Sequence, residues 1–292
     1  MVALSISPLY TIHAYREDLF KVVAFKGVRD PDFIKLRADP VKNDNKLANN
    51  YSRARSMVLQ YALCNPWEYF FTGTLDQQKY NRYNLDRFMV NLSQFVRDQR
   101  KKWDSQIQVL LIPEQHKDGA WHVHGLIHDL PDQAISDFRY PAPKKLIENG
   151  FRNWSDFQRK FGFCSLGQIR NVIGTAFYVS KYISKDMSQR GRDLGKHLYF
   201  HSRPLKTAAS ASEVFGWNPQ LDSFCVNDYD FCRTGFAFKQ PWYFPYVWEY
   251  SDYDLSPIVS EVDVDPLQEE LRSFDPSLID PYYEQLKIDG YR

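Results

Sequence analysis

The sequence predicts an α+β fold, an antiparallel β-sheet with helices laid on one face. Three observations carry that reading. Segments with strand and helix patterns follow one another in the order strand, helix, strand, helix, strand, strand, helix, which suits an antiparallel sheet better than a doubly wound parallel one. Two strand-like runs, residues 106–114 and 120–130, are separated by the turn signal Lys117-Asp118-Gly119. Finally, Leu85, Phe88, Met89, Leu92, Phe95 and Val96 recur with the period of an amphipathic helix.

Taken in order, residues 19–29 (LFKVVAFKGVR) alternate as a strand does. Residues 44–63 read as a helix with apolar Leu47, Tyr51, Ala54, Met57, Val58 and Tyr61, stopped by Asn65-Pro66. Residues 67–75 (WEYFFTGTL) are rich in aromatic residues and Thr and suit an interior strand. Asn84 can cap the helix that follows, and Arg97, Arg100, Lys101 and Lys102 suit the negative end of its dipole. After the hairpin, residues 131–162 are Pro-interrupted and read as a variable insertion. Residues 163–170 read as a strand, 171–187 (NVIGTAFYVSKYISKDM) as a helix and 197–202 as a short strand. Beyond Ser210 the chain reads as irregular.

The 292 residues suffice for one large or two modest domains with a sizeable core. Charge is nearly balanced, at 37 Lys+Arg against 36 Asp+Glu, but unevenly spread. Residues 241–292 carry 12 acidic side chains against 3 basic ones, leaving 34 basic against 24 acidic over residues 1–240. A basic body points to a polyanionic partner. The acidic tail has three readings: a competitor of that partner, a docking segment or a solubilising extension. Four cysteines without a CxxC pair point to a reducing compartment and small buried hydrophobes. With no leader-like start and no apolar run near the ~18 residues of a membrane span, the sequence leads us to expect a cytoplasmic protein with no membrane partner.

The sharpest feature is Trp121-His122-Val123-His124-Gly125. Residues two apart on a strand share a face, so His122 and His124 stand side by side. A divalent metal needs a third ligand. If the hairpin loop has three residues with Gly119 left-handed, His116 pairs with Ala120 and Glu114 lies across from His122. With a two-residue turn Glu114 faces Val123 instead, and the site is lost. His116 is the reserve ligand. Two imidazoles and a carboxylate leave coordination positions open for a substrate oxygen.

A second feature is Tyr178-Val-Ser-Lys181-Tyr182-Ile-Ser-Lys185. Tyr178 and Tyr182, at i and i+4, share a helical face, with Lys181 and Lys185 as a stripe beside them. A phenol of pKa ~10 is a poor nucleophile at neutral pH and needs a cation or metal to stabilise developing charge, which the lysines can supply. Arg53, Arg55, Arg190, Arg192 and Arg203 are candidate phosphate contacts. Residues 191–197 do not make a phosphate loop, since no Ser or Thr follows Lys196.

GAWHVHGLI and YVSKYISK, in that order, resemble the rolling-circle replication initiators of the HUH endonuclease superfamily, in the two-tyrosine branch of phage and plasmid initiators. The upstream FFTGTLD, with Gly73 inside it, resembles that family's first motif. The resemblance implies a ferredoxin-like or RRM-like antiparallel sheet with flanking helices in an HUH endonuclease domain, residues 1–210, and an irregular C-terminal extension, residues 211–292. It implies Mg²⁺ or Mn²⁺ held by Glu114, His122 and His124, with the tyrosine helix beside an open face. It further implies attack on single-stranded DNA at a replication origin by Tyr182 first and Tyr178 second. The products are a 5′-phosphotyrosine and a free 3′-hydroxyl, and a bacterial host supplies helicase and polymerase. The rival readings are an HUH transposase or relaxase, a non-catalytic DNA-binding regulator and an unrelated metal hydrolase.

Overall fold

The computed structural model describes residues 10–16, 19–26, 43–116, 118–185, 198–214, 221, 223, 225–229, 232–238 and 271–281. In chain order the elements are β1 (Tyr10–Ala14), β2 (Leu19–Phe25), α1 (Asn43–Cys64), β3 (Tyr69–Thr74), α2 (Leu85–Trp103), β4 (Gln108–Gln115), β5 (Trp121–His128) and β6 (Ile135–Asp137). There follow α3 (Lys144–Glu148), β7 (Arg152–Trp154), α4 (Ser155–Lys160), β8 (Cys164–Gln168), α5 (Val172–Lys185), β9 (Phe200–His201), β10 (Ala209–Val214), β11 (Asn227–Asp228) and β12 (Cys232–Phe238). The fold is α+β, and every strand pairing among the described residues is antiparallel.

The chain divides into two units. The first takes residues 1–45 and 207–273 and holds a five-stranded sheet in the order β10-β1-β2-β12-β11. Tyr10, Ile12, Phe20, Val22 and Ala24 form its core with Leu221 and Cys225. The expectation of irregular structure beyond Ser210 is corrected here. Residues 209–238 supply three strands, two of which pair with the N-terminal hairpin on its outer edges. Such pairing rests on partners about 200 residues away and leaves little local periodicity.

The second unit takes residues 46–206 and 274–292 and holds a seven-stranded sheet in the order β6-β7-β8-β3-β5-β4-β9. Strand alternation splits it into two faces. Phe71, Val109, Leu111, Trp121, Val123, Ile127 and Leu166 point to one face, where α2 lays down Leu85, Phe88, Leu92, Phe95 and Val96. Asn84 caps α2 as the sequence implied, its side chain accepting from the Arg87 N–H at 3.0 Å. Residues 131–162 are no insertion. They add β6 and β7 to the sheet edge and bury Trp154, Phe157 and Phe161 in this same core. Edge-to-face packing joins Phe157 to Phe71 at 4.9 Å and Phe161 to Phe88 at 5.5 Å.

The expected placing of helices on one face also needs correction. The other face carries Phe70, Leu126 and Leu110 in one cross-strand row, Thr72, His124 and Ile112 in the next, and Thr74, His122 and Glu114 in the third. Its apolar rows need cover, and α5 packs there against β4 and β5 through a buried stripe of Ile173, Ala176, Val179, Tyr182 and Ile183. The four cysteines are free. No helix among the described residues is long and apolar enough to cross a membrane.

Candidate active site

The hairpin turn sets the site. Gly119 takes a left-handed φ of 83°, the His116 N–H donates to the Ala120 carbonyl at 2.8 Å, and Asp118 Oδ1 accepts from the Ala120 N–H at 3.0 Å. That geometry fixes the register in which Glu114 lies across from His122 and Gln115 from Trp121. Of the two hairpin readings the sequence left open, this is the three-residue loop. Glu114 and His124 are buried, His122 half-buried, and Glu114 Oε2 stands 2.7 Å from His124 Nε2.

The neighbouring strand orients the imidazoles. Thr72 Oγ1 lies 3.3 Å from His124 Nδ1, and Thr74 Oγ1 lies 3.1 Å from His122 Nδ1. Each ring therefore has its Nδ1 side held by a hydroxyl and its Nε2 side left for another partner, the usual arrangement for a metal-ligating histidine. Burial, aided by His124 and His116, pushes the His122 pKa down to about 4, so the ring stays neutral, with a lone pair to offer, at neutral pH. The His116 ring stacks on His122 at 4.8 Å. Among the described residues no three His, Cys, Asp or Glu side chains stand as a ready-made cage. The donor chemistry nonetheless fits a divalent ion: one carboxylate already in contact with one imidazole, and a second, neutral imidazole held in the next register position.

Helix α5 brings the tyrosines to this group. Asn171 opens the helix, its side chain accepting from the Gly174 N–H at 2.7 Å. The Tyr182 ring stacks on the His124 imidazole, centroids 4.3 Å apart and planes 14° from parallel. Phe70 lies against both tyrosines, at 5.5 Å from Tyr178 and 6.4 Å from Tyr182. The two hydroxyls are 2.9 Å apart, and each stands 2.8 Å from Asp280 Oδ2. Burial first, and then the charge of Asp280, drive both phenols well above their ordinary pKa.

Asp280 belongs to a segment that the sequence reading placed in the acidic tail. Its local signal is Asp275-Pro276, an N-cap followed by Pro at the first helical position; Asp275 accepts from the Ser277 N–H at 2.9 Å and opens the short 3-10 turn Pro276–Leu278. The segment seats closely on the unit. A Cβ on Gly167 would come within 2.2 Å of the Ile279 carbonyl oxygen, and one on Gly174 within 2.4 Å of the Phe274 ring. Thr72, Thr74 and Asp280 are the site residues that motif reading missed.

The structure thus gathers Glu114, His122, His124, Tyr178 and Tyr182 on one sheet face. Lys181 is exposed on α5, and the Lys185 side chain, Arg190 and Arg192 lie outside the described residues. Arg53 and Arg55 are exposed on α1 and Arg203 is exposed after β9.

Residues 68–187, from the start of β3 past the end of α5, match the family model of the replication-associated protein ORF2, also described as the gene-2 protein. The match spans the threonine strand, the histidine hairpin and the tyrosine helix, and is consistent with a rolling-circle replication initiator. No curated protein and no solved structure matches the chain.

Proposed function

We propose that the protein initiates rolling-circle replication as an HUH endonuclease, cutting one strand of single-stranded DNA at an origin and later rejoining it through tyrosine. One observation carries this reading: the Tyr182 ring rests directly on His124, whose Nε2 meets Glu114, so nucleophile and ligand set form one contiguous group. The family match over the same residues supports it.

Glu114, His122 and His124 would hold Mg²⁺ or Mn²⁺, which supplies Lewis-acid polarisation of a phosphate oxygen when bound. Thr72 and Thr74 fix the two rings so that their Nε2 atoms serve that role. Tyr182, the tyrosine in contact with His124, attacks first and forms the 5′-phosphotyrosine, and Tyr178 acts when the circle closes. Lys181, Lys185 and the arginines 53, 55, 190, 192 and 203 would neutralise the DNA backbone. The free 3′-hydroxyl primes a host polymerase. As the chain has no phosphate loop, a separate host helicase opens the duplex.

The test is incubation of the full chain with a library of labelled single-stranded oligonucleotides and Mn²⁺. A denaturing gel is expected to show a covalent protein–DNA adduct that EDTA prevents. Failure of any oligonucleotide to yield an adduct, with the protein folded and Mn²⁺ bound, would overturn the reading.

A further inference from the structure

We propose that Asp280 is a catalytic residue, the proton acceptor that the two tyrosines share, taking the proton of whichever hydroxyl attacks. The inference rests on the tyrosine chemistry proposed above and adds to it a residue outside the matched segment.

A tyrosine that attacks phosphorus must lose its proton as the new bond forms, and a general base has to stand about 2.6–3.2 Å from that hydroxyl. Asp280 Oδ2 meets this condition for both tyrosines at once, at 2.8 Å from each. The lysines of α5 cannot serve, since an ammonium has no lone pair to accept with. Glu114 is turned to His124. The equal distances suit a pair of nucleophiles that act in turn, because one carboxylate then serves the opening and the closing cut. The seat is built to hold it: Asp280 is fully buried, its N–H donates to the Pro276 carbonyl at 2.9 Å, Ile279 is buried beside it, and Phe274 packs on Tyr178 at 6.0 Å.

The step balances. A bond forms between the Tyr182 oxygen and phosphorus, and the bond from phosphorus to the 3′ oxygen breaks with its electron pair going to that oxygen. The Tyr182 proton passes to the Asp280 carboxylate. The 3′ oxygen takes up a proton from solvent, and Asp280 returns its own to solvent before the next turn. In the closing cut Tyr178 takes the place of Tyr182, and no electron is gained or lost.

The experiment compares the full chain with Asp280→Asn, which keeps shape and hydrogen-bond acceptance but cannot take up a proton at neutral pH. Adduct formation is followed at saturating labelled oligonucleotide with Mn²⁺, and binding of the same oligonucleotide is measured in EDTA by fluorescence anisotropy. The expected result is an adduct rate lower by about 100-fold or more, with binding and the thermal transition unchanged. An unchanged rate overturns the inference. So does a faster rate, which would make the carboxylate a cover over the two hydroxyls. If the Asn variant does not fold, Asp280→Ser replaces it: added formate is expected to restore its adduct rate, and no restoration overturns the inference. A full chain that forms no adduct overturns the endonuclease reading itself, so the two failures are told apart.

Discussion

The two faces of the seven-stranded sheet are built from the same strands yet do different work. On one, Phe71, Trp121, Val123 and Leu111 meet α2 and the aromatic cluster of Trp154, Phe157 and Phe161. On the other, the residues between them, Thr72, His122, His124 and Glu114, meet each other and α5. Val123 sits between the two histidines and shares nothing with their chemistry. The lesson is that strand parity, and not nearness in sequence, separates packing from chemistry here. Substitutions one residue apart should therefore fail in different assays.

The largest effect belongs to the chemical face. Tyr182→Phe removes the hydroxyl beside Asp280 while keeping the ring stacked on His124. The expected outcome is loss of the first adduct by about 1000-fold or more, with a thermal transition that moves by only a few degrees. A Tyr182→Phe chain that still forms the adduct at full rate would give the first cut to Tyr178.

On the packing face the same size of perturbation reads in stability. Phe157 is fully buried between Phe71, Phe95, Trp154 and Phe161. Phe157→Ala is expected to cost about 3–5 kcal/mol in urea unfolding, while the folded fraction forms adduct at the ordinary rate. If it lowers the adduct rate of folded protein as strongly as Tyr182→Phe does, the two faces are not separable.

How much of this was legible beforehand follows the same division between local and distant. The hairpin register could be derived, because a Gly turn and period-two parity act within fifteen residues, and α2 could be read from its cap and its repeat. The i, i+4 spacing of Tyr178 and Tyr182 put their hydroxyls together, as they are found at 2.9 Å. Three things escaped. Thr72 and Thr74 were noticed as part of a motif, but their partners are 52 and 48 residues on. Trp154, Phe157 and Phe161 stand in a stretch whose prolines and short elements hide its place in the core. Asp280 joins tyrosines about 100 residues earlier, and a single carboxylate in an acidic tail has no periodicity to give it away.

The histidines also give the chemical face a pH dependence that the packing face lacks. His122 is held neutral, with its folded pKa lowered to about 4 from an ordinary 6.5. Between those values the unfolded chain binds the proton that the folded one refuses, so stability is present above pH 6.5 and falls as the pH drops towards 4. In EDTA the loss across that window is expected to be about 3 kcal/mol by the linkage of pKa to stability, and His122→Gln should flatten that part of the curve. An unchanged profile in the variant would assign the acid sensitivity to other groups.

The smallest effect tests whether β3 belongs to both faces. Thr72 is fully buried between Phe71 and Gly73, and only its hydroxyl reaches His124. Thr72→Val keeps the shape and removes that hydroxyl, so the His124 ring loses the partner on its Nδ1 side. Removing such a partner of a metal-ligating histidine typically costs about 10–100-fold in metal affinity or activity. The expected result is weaker Mn²⁺ binding by calorimetry within that range, together with a slower adduct rate that higher Mn²⁺ partly restores. Because β3 packs through Phe71 on the other side, unfolding in urea should move by no more than about 1–3 kcal/mol, the cost of leaving one buried group unpaired. A variant that binds Mn²⁺ as the parent does would make the threonine a packing residue after all, and would shrink the chemical face to the hairpin and the tyrosine helix.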